Sequence, residues 1–382
     1  MDILATNKAN FIKCFMELEI ELSDIRQDAK LLYPLNEILF LTIAAVLSCA
    51  ESWRQIYDYG VEKIDFLRKY FPYEHGIPSK STICSVLGLI SKNKFETWFM
   101  EWAGNLIDIL PEDLINIDGK TIKGSRTKNK KATHILNVFA KKQGIILAQR
   151  TVDEKTNEIP ELPKLLDDLQ IEGATITIDA MGCQKKVVSK IIEKKANYFI
   201  GLKENQPSLY DASRYLFSNK SNTPEYFDYF SERNRGHGRI EWRKCWVTLV
   251  PDWFSQEHPE WTDLKSICLI DSERHIINGK RSIEQRFYIS NEALDAKKGL
   301  LCSRGHWAIE NQLHYVLDVT FKEDNCQIYN AAENMSIIRK ITFNLINKYQ
   351  FNTKVKSSIP AIRKRSCWSE KVATSVLSYL WA

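Results

Sequence analysis

Apolar residues recur at three- and four-residue spacing through "YPLNEILFLTIAAVLSCAESW" (33–53) and again through "SKNKFETWFMEWAGNLIDIL" (91–110), the signature of helices that bury one face. Between them Gly76 and Pro78 make a turn, and Ser79 or Ser81 stands where it can cap the next helix. The pattern predicts an α-helical amino-terminal domain over residues 1–110, with Pro111 at its boundary. After Pro111 the rhythm shortens. "LINIDGKTIKGS" (114–125) is an apolar run that ends on Asp118, and "THILNVFAKK" and "IILAQRTV", separated by Gln143-Gly144, read as a β-hairpin. "IPELPKLLDDL" is a helix opened by prolines, "ATITIDAMG" a buried strand, "QKKVVSKIIEKKA" an amphipathic helix and "NYFIGLK" a further strand. Residues 205–296 break this alternation: "WVTLV", "SICLIDS" and "RFYIS" are strand-like among polar stretches and predict a β-rich insertion. Helices return over 297–318 and 331–349, and the remainder, 351–382, reads as an exposed basic tail.

Composition narrows the class. With 44% hydrophobic and 26% charged residues, the 382-residue chain is an ordinary globular protein long enough for two or three domains. Its most apolar run, "ILFLTIAAVLSC", is well short of the roughly 20 residues that a membrane helix needs, and "MDILATNKANFIKC" lacks a signal-peptide pattern. Nine dispersed cysteines without a CxxC pair fit a reducing cytosol better than a disulfide scaffold or a structural zinc site. A net charge of +5 points only weakly to a polyanionic partner, so local clusters carry more information.

Two aspartates share one context. Asp118 and Asp179 each end a β-branched apolar run and precede a glycine, and the strand order allows the first and fourth strands to lie side by side. Asp-Gly is also a common turn pair, which would make Asp118 a turn residue only. If the strands are adjacent, about 4.8 Å apart, the two carboxylates repel unless a cation such as Mg²⁺ lies between them. A third carboxylate, Glu310, lies in "RGHWAIENQLHYVLD", where a continuous helix would put His306 and His314 on its face. A solvated helix face and a His-Glu-His metal site are the other readings of that stretch.

Taken in order, "NIDGKTIKGS", "ITIDAMGCQ", "GLKENQPSL", "GHGRIEWR", "FYISNEAL", "RGHWAIENQLHYVLDVTFKEDN" and "NAAENMSIIRK" resemble the bacterial insertion-sequence transposases of the H-repeat-associated type, members of the DDE superfamily. The helical segment with "GIPSKST" is similar to the domain that precedes the catalytic core in that family, so the likeness spans about 20–350. The resemblance implies an α/β, RNase H-like core over 111–350. It further implies Asp118, Asp179 and Glu310 as catalytic metal ligands for Mg²⁺, with Mn²⁺ as substitute; choosing Glu310 over Asp318 or Glu323 leans on it. It also implies cleavage and strand transfer on double-stranded DNA, a homodimer on DNA and a cytoplasmic, nucleoid-associated location. Related enzymes flank the glutamate with tyrosine, arginine and lysine at set spacing; here the nearest arginine before it is Arg304 and the first lysine after it is Lys322, a departure from that pattern.

Basic clusters suggest where DNA lies. Lys120, Lys123 and Arg126 open a run of six basic residues beside Asp118, and Lys203 follows the "NYFIGL" strand. Arg235, Arg239 and Arg243 flank Trp242, a mixture suited to phosphate contact and base stacking. A solvated loop and a charged β-hairpin are the plainer alternatives. Two other functions fit much of the sequence: a metal-dependent nuclease without strand transfer, and a domesticated or inactive DNA-binding derivative.

Overall fold

The computed structural model describes residues 32–153, 157–218, 220, 224–236, 238–276 and 279–381; the amino-terminal stretch read for a signal peptide and His237 lie outside them. The described chain gathers into two compact units. The first comprises residues up to 108 with 119–155 and 310–382; the second comprises 109–118 and 156–309. Strand β1 (Leu114–Ile122) contributes to both, passing from the second to the first between Asp118 and Gly119.

In the second unit β1 pairs in parallel with β4 (Thr175–Ile178), and β4 in parallel with β5 (Asn197–Leu202). The helices Glu161–Asp168 and Lys185–Glu193 make the two crossovers, each burying an apolar stripe, Leu162/Leu165/Leu166 and Val187/Val188/Ile191. The insertion then continues the sheet. β9 (Arg281–Ser290) pairs antiparallel with β5, followed by β8 (Ser266–Ile276), β7 (Arg239–Leu249) and β6 (Asp228–Gly236). Its inner half is a core of Phe199, Cys245, Val247, Cys268, Ile270 and Tyr288, closed by Leu300 and Cys302 of the helix Ala296–His306. The outer half is a polar ribbon, which explains why β6 left no apolar signal in the sequence.

The first unit is helical around the hairpin of β2 (Thr133–Ala140) and β3 (Ile145–Val152), which turns at Gly144 with φ +68°. The apolar segment from Tyr33 to Trp53 forms the helix Leu35–Leu47, a break at Cys49 with φ 70°, and the start of a second helix, Trp53–Glu62. Ser79 caps Lys80–Leu89 by accepting from Thr82 N at 3.2 Å. The helix Ala332–Thr353, buried along most of its length up to Ile346, runs through the unit.

The exposed basic tail expected after residue 350 is corrected. Residues Ile359–Trp368 and Glu370–Leu377 are helices, and the apolar positions Ile362, Ala373, Val376, Leu377 and Leu380 are buried. Arg363, one of the basic residues behind that expectation, is buried and donates to the carbonyls of Val46 and Thr320, while Trp102 Nε1 donates to Leu380 O at 2.8 Å. The charge cluster misled because amphipathic helices carry basic residues on their outer faces while burying an apolar stripe. No helix among the described residues is long and apolar enough to cross a membrane, and the eight described cysteines are free thiols.

Candidate active site

In the second unit the register of β1 against β4 runs from Leu114↔Thr175 to Ile117↔Ile178. The next residues on the two chains are therefore Asp118 and Asp179, side by side where the pairing ends. Buried Ile115, Ile117, Ile176 and Ile178 anchor the strands, and Asn116 Nδ2 donates to Thr177 Oγ1 at 2.6 Å, tying them together two residues inward. Sequence reasoning missed this tie. Its signal is a polar residue two places before Asp118 and two before Asp179, in strands otherwise apolar.

Asp179 leaves the sheet as the cap of a short 3₁₀ turn, Ala180–Gly182, and its Oδ1 accepts from Met181 N at 3.0 Å and Gly182 N at 3.3 Å. The turn packs so closely on β4 that a Cβ at residue 182 would stand 2.2 Å from Ile178 Cγ2; glycine is a steric requirement there. Asn205 Nδ2 donates to Ala180 O at 2.8 Å and Gln206 Nε2 to Cys183 O at 2.8 Å, so the loop after β5 fastens the same turn. Burial pushes the Asp179 carboxyl above its ordinary range. The nearby Glu158 adds to the rise, and the two N–H groups and Lys203 offset it only in part. Lys203 itself is exposed.

The continuous helix that placed His306 and His314 on either side of Glu310 is not present. Ala296–His306 ends the second unit's helix, Ile309–His314 is a π-helical turn in which Glu310 is exposed, and Tyr315–Val319 resumes α-geometry. His306 Nδ1 lies 3.0 Å from Thr177 Oγ1 in the second unit, and His314 Nε2 lies 3.2 Å from Asn137 Nδ2 in the first. Single-turn π-bulges inside helical runs occur often at functional sites, because the extra residue re-aims the side chains that follow. Within either unit no three His, Cys, Asp or Glu side chains among the described residues gather into a metal-holding group.

Burial, with the charge of Arg286 adding to it, pushes His306 down to about 4. The unfolded chain, with an ordinary histidine near 6.5, then binds more protons than the folded one between pH 6.5 and 4. The stabilisation is complete above pH 6.5 and is lost as pH falls through 4. Below pH 6.5 each tenfold rise in proton activity favours the unfolded chain by about 1.4 kcal/mol, so the loss between pH 7 and pH 5 is about 2 kcal/mol. Unfolding free energies from urea titrations at the two pH values should differ by that much in the native protein and by clearly less in His306→Gln.

The first unit contains a buried ion cluster. Lys120 was expected to face DNA and does not: it is 7% exposed, with Nζ 2.7 Å from Asp318, 3.1 Å from Glu323 and 3.3 Å from Asp324. Burial alone would lower this ammonium, but Glu323, Asp318 and Asp324 outweigh it and hold it above its ordinary range. Glu323 is fully buried, and although burial opposes ionisation, Lys340, Lys120 and Arg339 hold its carboxyl down at about 2. Lys340, donating to Ser336 Oγ at 2.7 Å, is pushed by burial down to about 7 despite the Glu323 charge.

The other basic candidates divide by exposure. Lys123, 78% exposed, pairs with Asp324 at 3.0 Å, and Arg126 is exposed in the same loop. On the β6–β7 ribbon, Arg233 and Arg235 oppose Trp242 and Ile240 and share a face with Lys244, whose Nζ lies 4.1 Å over the Trp242 ring. Arg239 and Arg243 are on the opposite face, pairing with Glu241 at 2.9 and 2.5 Å, and Arg243 also with Glu232 at 3.4 Å. Arg304 is held by Glu232 at 2.9 Å. These three arginines are already engaged by carboxylates; Arg235 is exposed.

Residues 110–345 match the family described as Transposase DDE domain, and residues 18–103 match the family described as DDE_Tnp_1-associated. The chain is 38% identical over 362 residues to "Putative transposase YncI" of Escherichia coli O157:H7, covering 92% of each chain. It is also 38% identical over 376 residues to "H repeat-associated putative transposase YhhI" of Escherichia coli K12, covering 96% of this chain and 98% of that one. Among solved structures, a piggyBac transposase synaptic complex with hairpin DNA is similar at a TM-score of 0.48 and 13% identity, covering all of this chain and 81% of that one.

Proposed function

Because this chain belongs to the Transposase DDE domain family, we propose that it is an insertion-sequence transposase that cuts DNA at element ends and joins the freed ends to a target by metal-dependent transfer at phosphorus. The observation that carries this reading is the parallel register of β1 and β4, whose last pair is followed by Asp118 and Asp179. In it, Asp118, Asp179 and Glu310 are the metal ligands. Of the rival third carboxylates, Glu323 is fully buried among three cations and Asp318 is engaged by Lys120, whereas Glu310 is exposed.

An all-oxygen donor set, with the Asp179 carboxyl raised by burial, suits a hard divalent cation: Mg²⁺, or Mn²⁺ in its place. Bound there, such an ion supplies positive charge to the oxygens on which negative charge develops during displacement. The protein contributes rigidity and charge. The paired strands hold the two aspartates on tied backbone, and Lys203 places a cation beside Asp179. Lys123, Arg126 and the Arg235 face of the ribbon take phosphates of double-stranded DNA. Water or a DNA 3′-hydroxyl attacks in line, so no covalent enzyme intermediate is required. Two element ends must be cut and joined in one event, and a homodimer on DNA is the simplest assembly that processes both.

An assay with end-containing DNA and Mg²⁺ that scores joined products tests this reading. Strand-transfer products are expected; nicked DNA without joining would make the protein a nuclease, and binding without cleavage a DNA-binding derivative. Arg235→Ala is expected to reduce the slope of log affinity against log salt by about 1, the effect of one lost phosphate contact. Arg243→Ala should leave that slope unchanged, since its guanidinium is held by Glu241 and Glu232.

A further inference from the structure

The segment 322–329 of the first unit borders two hollows that the triad reading does not use. One, of about 510 Å³, is lined by Trp53, Gln55, Lys322, Asn325, Gln327 and Ile328. The other, of about 640 Å³, is lined by Arg126, Thr127, Lys128 and Tyr329. The segment is held firmly. A Cβ at residue 124 would stand 2.3 Å from Cys326 O and 3.0 Å from Asp324 O, so glycine alone lets the basic loop lie against it. Lys123 N and Nζ both bond the Asp324 carboxylate, and Cys326 Sγ donates to Glu51 O at 2.9 Å.

The first hollow has unusual chemistry for a plain surface cleft. It holds one indole and three carboxamides but a single carboxylate, that of Glu51. Among the described residues the side chains of Asn325, Gln327 and Lys322 make no hydrogen bond or ion pair, and Gln55 uses only its Oε1, which accepts from Glu51 N at 2.7 Å. A carboxamide offers a donor and an acceptor side by side, the pairing that matches a nucleobase edge, and an indole offers a stacking face. The volume falls within the roughly 300–1,000 Å³ of ligand pockets.

We propose that the Trp53 cavity receives one unpaired nucleobase of a DNA strand, stacked on Trp53 and read by Gln55, Asn325 and Gln327, with the neighbouring phosphates on Lys322, Arg126 and Lys128. A base taken out of the stack loses its pairing and stacking partners, and this cavity replaces both. The second hollow, basic and bordered by the half-exposed Tyr329, continues the path of the strand. The proposal rests on the transposase reading only in taking DNA as the ligand.

The test uses the full chain and three fluorescein-labelled duplexes of about 20 base pairs, long enough to span a site of this size: one fully paired, one with a short adenine overhang, and one with the same overhang made abasic. The adenine overhang is expected to bind about tenfold more tightly than the abasic one, the order of effect of losing one base stack. Trp53→Ala should bring the two overhang affinities together while leaving the paired duplex unaffected, and Gln327→Ala, at an exposed position that the fold tolerates, should reduce the difference. Equal affinity for adenine and abasic overhangs in the native protein, with the paired duplex still bound, would overturn the cavity assignment and leave the transposase reading standing. Failure to bind any of the three duplexes would overturn both.

Discussion

Asp118→Asn, Asp179→Asn and Glu310→Gln are each expected to abolish Mg²⁺-dependent DNA cleavage, by about 10³-fold or more, while the protein stays folded. Each substitution keeps the side chain's shape and removes the charge that holds a divalent ion. A loss of several kcal/mol of transition-state stabilisation, at about 1.4 kcal/mol per decade, gives that magnitude. Folding should survive for a specific reason at Asp179: its role as cap to Met181 N and Gly182 N needs only an acceptor oxygen, which asparagine retains. Circular dichroism and urea midpoints would verify the fold before cleavage is scored. Near-normal cleavage by Glu310→Gln would move the third ligand to another carboxylate, and Asp318 would be the first to examine because Glu323 is fully buried.

The second large effect concerns stability. Lys120→Met should cost about 3–5 kcal/mol, because removing one partner of a buried ion cluster leaves the others without compensation. Here the others are Asp318, Glu323 and Asp324, of which Glu323 keeps Arg339 and Lys340 and Asp324 keeps only the exposed Lys123. Lys123→Met, largely exposed and joined only to Asp324, should leave the urea midpoint unchanged while weakening DNA binding. If both variants behaved alike, the separation of Lys120 as structural from Lys123 as a phosphate contact would fail.

Lys120 and Lys123 mark the limit of what the sequence revealed. Both belong to one basic run, and nothing local says that the first points into the protein and the second out of it, because the deciding carboxylates lie some 200 positions later. The strands that ran apolar, β1, β4 and β5, were legible with the helices between them, since a buried parallel strand reads as a near-continuous hydrophobic run. The far end of β1 was not, because beyond Asp118 it turns polar and basic while still extended to Ile122. β6 was hidden too, because its outer half is polar on both faces and its place is set by pairing with β7. The helices over 359–377 were masked by their basic outer residues, and the π-turn at Glu310 by a periodicity that differs from an α-helix by one residue in a single turn. The two aspartates were readable because each follows the last apolar residue of a buried, paired stretch.

The bond from the Trp102 indole to Leu380, and that from Arg363 to Val46, have a consequence in time as well as in space. A ribosome delivers residue 102 long before residue 380. The second unit has all of its chain by residue 309, whereas the first must wait for its last helices to emerge. Until then the apolar faces that those helices cover are open to chaperones and to neighbouring nascent chains. A chain cut before Ile359 would have all of the second unit but lack the helices Ile359–Trp368 and Glu370–Leu377 of the first.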